Sequence, residues 1–488
     1  MTHNKMKADY DKNLATWIDQ EKTAVELINV VSNLWLNRSI KLKIFKKPLF
    51  DLGSSSIIKL HEYANNVVGH PITIFDTLTV ALELLKLDLG PSKIDIGRLA
   101  SEWLIEKEEH NGNPKSFVKQ QLRDFLINKD TEDLAPKDVV LYGFGRIGRL
   151  CARDLLSQVG KGSQLRLKAI VTRSNSDDDI TKRANLLRTD SIHGLFPGTV
   201  VEDVENKSLI LNGNVVRMIA TSNPAEVDYT KYGINHAILI DNTGVWRDRE
   251  GLGQHLNAKG ISKVLLTAPG KDDIPNVVVG INDRDSYCHQ ENIYSAASCT
   301  TNAIVPILSV IEKNFSIEKG HIETIHAYTN DQNLLDNFHK KHRRGRSAAL
   351  NMVLTETGAA KAVAKVIPNL KGKLTANAVR VPTPNGSLAI MSLTLAKKTS
   401  VEIVNNAIRE AALQGNLVDQ IRYSVFPELV SSDIVGTPTA TIFDSNSTIV
   451  SNDGKNIVLY GWYDNEFGYT RQVIRLSKII MEVNLKEY

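Results

Sequence analysis

The sequence predicts an α/β protein in which a parallel, crossover-connected sheet is followed by a mixed or antiparallel sheet, with a mainly helical region ahead of both. Three observations predict it. From Val139, short β-branched runs alternate with helical stretches, the pattern of parallel strands joined by crossover helices. After Cys299 the strands lengthen and become amphipathic, as in "HIETIHAYT", "NAVRVPTP" and "LAIMSLTLA". Before Leu134, apolar residues recur at three- and four-residue steps.

In chain order, Ala24, Leu27, Ile28, Val31, Leu34 and Trp35 fall on one face of a first helix. Further helices are expected in "TLTVALELLKL" after a cap at Asp76, and in "SFVKQQLRDFLIN" from Ser116. Residues 128 to 138, "NKDTEDLAPKD", are charged, contain a proline and lack an apolar period, so they read as a linker. Strands are then expected in "VVLYGFG", "LRLKAIVT", "NHAILIDNTGV", "SKVLLTAP" and "NVVVGIND". The stretch after Cys299 reads as a helix whose interior Pro306 would strain.

With 488 residues the chain exceeds the size of a single core, so two or three domains are expected. A net charge of +4 is spread over 59 basic and 55 acidic residues without long basic runs, which argues against nucleic acid and for small metabolic partners. Its three cysteines, Cys151, Cys288 and Cys299, have no metal-ligand or disulfide-framework spacing, so no metal is expected and a reducing compartment is. No segment offers the roughly 18 uninterrupted apolar residues of a membrane span. A cytoplasmic protein is the expectation.

Two clusters carry chemistry. Gly143, Gly145 and Gly148 stand in G-x-G-x-x-G spacing between a strand and a helix, where glycines permit a tight turn and close backbone approach and where free amides hold a pyrophosphate. Downstream, Cys299 stands just before the stretch that reads as a helix, whose starting residue Pro306 leaves open, and His326 falls on an expected strand face with Ile322 and Thr324. A helix N-terminus and an imidazole both favour a thiolate. Arginines 343, 344 and 346, then Thr357 and Gly358, then Arg380, supply forks and donors of the kind that bind phosphate. Two anion pockets beside a reactive cysteine suit a phosphorylated aldehyde and inorganic phosphate.

From about residue 138 onward the sequence resembles phosphorylating glyceraldehyde-3-phosphate dehydrogenase: "GFGRIGR", "NTGVW", "APGK", "SCTTNA", "HAYTNDQ", "RRGRSAAL", "TGAAKAV", "RVPTPNGS", "SSDIVG" and "WYDNEFGYT" occur in the family's order. The resemblance implies a homotetramer with a Rossmann domain over residues 138–298, to which a C-terminal helix at 466–488 returns, and a catalytic domain over 299–465 with an extended loop near 328–351. Residues 1–134 form an extension that ordinary members lack. Cys299 becomes the nucleophile and His326 its base. Thr329 and Arg380 are implied to bind the substrate's phosphate, and Ser298, Thr300, Arg344, Thr357 and Gly358 the attacking phosphate. Asn465 is implied to hold the nicotinamide carboxamide, with Arg146, Ile147, Thr243, Gly244 and Thr267 along the dinucleotide cleft.

Two rival functions share the motifs, erythrose-4-phosphate dehydrogenase and a catalytically inactive binding homologue. The former relatives tend to alter the positions of Thr329 and Gly358, both retained here, and the latter would be expected to lose at least one of Cys299, His326, Arg380 and Asn465. In NAD-restricted members an acid ends the second strand; here Thr172 stands in its place, followed by Arg173 and Ser174. NADP is therefore expected to be accepted, alongside NAD, unless Arg173 is engaged by the acids at 177–179.

Overall fold

The apolar period read over residues 24–35 belongs to a 36-residue helix, His3–Arg38. Ala24, Leu27, Val31, Leu34 and Trp35 are buried as expected and Ile28 is partly so. Each fully buried leucine contributes about 1.5–3 kcal/mol. Residues 10–19 of the same helix are exposed on every face. This is a computed structural model describing residues 3–45, 47–68, 70–127, 136–157, 164–284, 291–483 and 485–488. Eight residues of the expected linker, 128–135, lie outside those described, as does Cys288.

The chain divides into two units, one formed by residues 1–136, 158–164 and 483–488, the other by 137–157 and 165–482. In the first, helices Ser54–Val68, Ile74–Lys86, Ile96–Glu106 and Pro114–Gln121 join the long one. Two expected starts are corrected. Thr73, not Asp76, caps Ile74–Lys86; Asp76 sits three residues later and accepts from the Thr73 amide at 2.8 Å, a reciprocal capping box. Asn113, three residues before Ser116, caps helix Pro114–Gln121, with Pro114 first in the helix, where its missing N–H costs nothing, and the helix ends at Gln121 instead of running on to Asn128. The unit also contains a four-stranded sheet that the helical reading passed over: Lys47–Pro48, Ile40–Ile44, Ser92–Asp95 and Lys486–Glu487, in that order. Ile40, Leu42 and Ile44 alternate inward, and Ser39 at φ +57° ends the helix immediately before them.

Among the described residues the second unit has two eight-stranded sheets and a small two-stranded one, Thr189–Asp190 with Gly194–Leu195. The first runs Ile293–Ser295, Ile261–Leu266, Ala237–Asp241, Lys137–Tyr142, Leu165–Thr172, Asn214–Ala220, Ser208–Leu211 and Val200–Asp203. Its first six strands are parallel, as the alternation predicted, and the last two are antiparallel. Strand order reverses beside Lys137–Tyr142, so the chain leaves its two flanks in opposite directions and opens a crevice at the carboxyl ends. "NVVVGIND" is not a strand. Asn276 makes a single bridge to Ser295, while the Asn276 and Asn282 side chains bond nearby backbone and hold a turn; Ile293–Ser295 takes the edge instead.

The second sheet is mixed and runs Val353–Thr355, Leu374–Val381, Ile317–Ala327, Ser387–Leu395, Asn456–Tyr463, Thr441–Asp444 and Ile421–Ser424, with Ile449–Val450 beside Asn456–Tyr463. Helix Cys299–Phe315 is buried along most of its length in this sheet's core and stays continuous through Pro306. The last helix is Phe467–Ile480, shorter than the 466–488 expected, because the chain end becomes a strand of the first unit. No helix among the described residues is long and apolar enough to cross a membrane.

Candidate active site

Cys299 is the first residue of its helix. Ser298 caps it by accepting from the Thr301 amide at 3.0 Å, which aims the remaining first-turn amides at the thiol. Ala297, at φ +54°, turns the chain into this position; Tyr469 donates to its carbonyl at 2.9 Å and Asn302 donates to the carbonyls on either side, of Ala296 and Ser298. Sγ of Cys299 is 3.6 Å from Nε2 of His326. The pair that sequence could not join is therefore in contact.

Register explains why Arg380 enters the same place. His326 and Arg380 are direct partners in the parallel ladder. One guanidinium nitrogen lies 2.6 Å from His326 Nδ1 and 2.9 Å from the Ala327 carbonyl, while Nδ1 is 2.7 Å from that carbonyl. An arginine can only donate, so while it engages Nδ1 the ring proton sits on Nε2; when it turns to an anion, Nδ1–H can donate to Ala327 instead. Among the described residues Arg380 Nε is buried without a partner, a donor of the kind an anionic ligand satisfies. Burial and the Arg380 charge lower the His326 pKa to about 4. Burial pushes the Cys299 thiol up, opposed by Arg380 and by hydrogen bonds at the helix start. At neutral pH this site holds a neutral imidazole beside a thiol.

The other anion-binding candidates fall into smaller groups. Arg344 pairs with Asp331 and donates to Thr355, while Thr329 donates to the other oxygen of Asp331. Burial raises the Asp331 carboxyl, but Thr329, Arg344 and Arg380 outweigh it and hold the group below the ordinary range. Residues assigned to different pockets thus share one carboxylate. Thr300 meets the Tyr463 hydroxyl at 3.1 Å, and the Tyr463 ring stands edge-on to His326 at 5.9 Å. Thr357 accepts from the Ala359 amide at 3.2 Å, and Gly358 caps helix Ala359–Val366. No hydrogen bond among the described residues joins Thr357 or Gly358 to Cys299 or Arg344.

Apart from Asn465, which follows Asn456–Tyr463 of the second sheet, the dinucleotide candidates stand at the carboxyl ends of the parallel strands of the first. Gly143 has φ +92°, and a Cβ on Gly148 would lie 2.4 Å from the Gly143 carbonyl. At Gly145 a Cβ would meet nothing, leaving open space where backbone can approach a pyrophosphate at the start of the 12-residue helix Arg146–Ser157. These residues fit the phosphates. Ile147 is half-buried on that first turn. Asp241, at a strand end, accepts from the Thr243 amide at 2.7 Å and through its carbonyl from the Thr267 amide and hydroxyl, each at 3.0 Å; Gly244 follows at φ +65°. Asn465 accepts from Ser387 at 2.8 Å through Oδ1, leaving its amide hydrogens for a carbonyl such as a carboxamide's. Arg146 is tied to Asp190 and Glu466. Burial opposes ionisation of Glu466, but Arg146 and His193 outweigh it and keep it a carboxylate.

At the adenosine end, Thr172 is buried and donates to the Ser174 carbonyl at 2.7 Å. None of the acids at 177–179 pairs with Arg173. Asp177 takes Lys207, Asp178 takes Lys182, and Asp179 accepts from Ser174 and Ser176 at a helix cap. Arg173 is exposed, whereas the Ser174 hydroxyl is committed. Sequence reasoning did not single out Asp331, Tyr463, Ser387 or Glu466, although each lies within or beside a quoted motif. Their polar type was visible, but their partners were not.

Family models match two stretches: the NAD binding domain of glyceraldehyde 3-phosphate dehydrogenase over residues 137–249, and its C-terminal domain over 298–465. The chain is 47% identical to a glyceraldehyde-3-phosphate dehydrogenase-like protein of Pseudomonas aeruginosa over 461 residues, covering 94% of this chain and 99% of that one. That coverage takes in most of the N-terminal unit as well. It is 43% identical to a chloroplastic glyceraldehyde-3-phosphate dehydrogenase of Arabidopsis thaliana over 70% of this chain and 83% of the plant protein. With glyceraldehyde-3-phosphate dehydrogenase 2 of a Nostoc species the identity is 41%, over 70% of this chain and 98% of the other.

Proposed function

Because the chain belongs to the glyceraldehyde-3-phosphate dehydrogenase family, we propose that it catalyses the reversible oxidative phosphorylation of glyceraldehyde 3-phosphate to 1,3-bisphosphoglycerate, as a homotetramer in the cytoplasm. The observation that carries this reading is the Cys299–His326 contact at a helix start, with Arg380 against the same imidazole.

Arg380 and Thr329 receive the substrate's phosphate. Once the guanidinium turns to that phosphate, Nδ1–H donates to Ala327 and the Nε2 lone pair faces the thiol. Sγ then attacks the aldehyde carbon as His326 takes the thiol proton and passes it to the carbonyl oxygen, forming a thiohemiacetal and leaving His326 neutral. NAD, held by the cleft residues, supplies the hydride acceptor when bound. His326 removes the thiohemiacetal's hydroxyl proton as carbon loses hydride, leaving a thioester on Cys299. Inorganic phosphate, held by Ser298, Thr300, Arg344, Thr357 and Gly358, attacks the thioester carbon; the C–S bond breaks and the acyl phosphate leaves. First-turn amides of the cysteine helix stabilise the oxyanion in both additions.

Absorbance at the reduced-nicotinamide band tests the reading: turnover should require both glyceraldehyde 3-phosphate and inorganic phosphate. No turnover with either nicotinamide cofactor would sink it. Preference for erythrose 4-phosphate would give the site to the four-carbon relative.

The two arginines should divide the phosphates. Arg380→Ala should raise KM chiefly for the aldehyde and Arg344→Ala chiefly for inorganic phosphate, each by roughly 10- to 100-fold for one charged contact. Since Arg344 and Thr329 share Asp331, Arg344→Ala should also weaken the aldehyde, by less. Equal effects of both variants on both substrates would refute the division.

NADP should be accepted beside NAD, because no acid occupies position 172 and Arg173 has no carboxylate partner at 177–179. Arg173→Ala should weaken NADP about 10-fold while leaving NAD little changed, the loss of one charge-assisted bond. Titration of both cofactors decides it; an NAD-exclusive native enzyme, or equal losses in the variant, would remove this proposal.

A further inference from the structure

The N-terminal unit's sheet is finished by the last residues of the chain. Ser92–Asp95 pairs on one side with Ile40–Ile44 and on the other with Lys486–Glu487, whose register sets Lys486 beside Ser92 and Glu487 beside Lys93. The Tyr488 amide extends the ladder to the Lys93 carbonyl at 2.9 Å. This is strand addition to a sheet edge, where backbone bonds supply affinity and alternate side chains supply selectivity.

Three side-chain subsites read the tail. Leu485 and Val483 are buried. The Glu487 carboxylate lies between Lys43 and Lys93. The Lys43 side chain is only 14% exposed, so losing that carboxylate would leave a largely buried charge without it. Tyr488 donates its hydroxyl to Glu102, stacks beneath the Arg98 guanidinium at 4.7 Å and meets the edge of Phe125 at 6.1 Å. Burial and Glu102 both keep this phenol protonated and thus a donor.

We propose that the N-terminal unit is a receptor for the chain's own C-terminus: it binds a peptide ending in an aliphatic residue, a lysine, an acid and a tyrosine, and thereby clasps the end of the polypeptide that carries the catalytic residues. Without the tail, Ser92–Asp95 becomes an unpaired edge, two lysines lose their shared carboxylate, and the Arg98–Phe125 cleft loses its ring.

The experiment uses full-length protein with a protease recognition sequence placed within residues 128–135. After cleavage, the N-terminal fragment should still co-elute with the remainder in gel filtration. Glu487→Lys should release it, and adding Lys93→Glu to that variant should restore capture. Tyr488→Ala should weaken retention about 10-fold or more, as for a buried aromatic anchor. A synthetic peptide of residues 483–488 in excess should displace the native tail and free the fragment without any substitution. Separation of the cut native protein, or equal retention by a chain ending at residue 482, overturns the proposal.

Discussion

Cys299→Ser is expected to abolish phosphorylating turnover, by roughly 10⁴-fold or more, as for loss of other catalytic nucleophiles, while leaving dinucleotide binding intact. A hydroxyl in place of the thiol retains the helix start and Arg380 beside it, yet those groups cannot bring an alcohol within reach of ionisation near neutrality. Steady-state rates with glyceraldehyde 3-phosphate and phosphate, paired with a titration of cofactor binding, separate chemistry from binding. A variant retaining a tenth of native activity would exclude Cys299 as the nucleophile. Iodoacetate gives a second measure. Cys299 is half-buried and faces His326, whereas Cys151 is fully buried with its thiol pushed far above the ordinary range. Labelling should therefore be much faster at Cys299, and comparable rates would count against the assignment.

His326→Asn should lower kcat/KM by about 10²- to 10⁴-fold, the usual worth of general acid-base help, and should change the form of the pH profile. In the native protein His326 has its pKa lowered to about 4 by burial and Arg380, so it is neutral and ready to accept a proton throughout the physiological range. Protonation removes the base only as pH falls through that value. The variant has no base and must wait for the thiol to ionise, and burial raises that thiol. Its rate should climb about tenfold per pH unit through neutrality while the native rate stays nearly flat. Parallel profiles would mean that His326 merely packs against Cys299. Rescue of the variant by added imidazole would support proton transfer directly.

Much of the catalytic unit was legible because its signals are local. The glycine spacing and the alternation of Ile322, Thr324 and His326 each lie within one turn or one strand, where backbone period dictates direction. Misreadings arose where a local signal had competition. "NVVVGIND" is rich in strand-forming residues, but two asparagine side chains satisfy the backbone as a turn. Asp76 looked like a cap because an acid before an apolar run commonly is one; Thr73 holds the preceding position and Asp76 completes its box. The small N-terminal sheet was masked by surrounding helices, although Ile40, Leu42 and Ile44 alternate plainly.

What the sequence determined by itself was therefore the inventory: the class of fold, a glycine-spaced turn between a strand and a helix, a cysteine just ahead of a helical stretch and a histidine on a strand. Tertiary structure decided the pairings. It put Nε2 of His326 3.6 Å from a thiol 27 positions earlier, made Arg380 its ladder partner from 54 positions later, and joined Thr329 and Arg344 through Asp331. It also carried Glu487 back to a lysine 394 positions earlier. Helix and strand periods fix which way a side chain points relative to its neighbours in sequence, whereas the group it meets depends on strand order and register, and those are set by the burial of the whole chain.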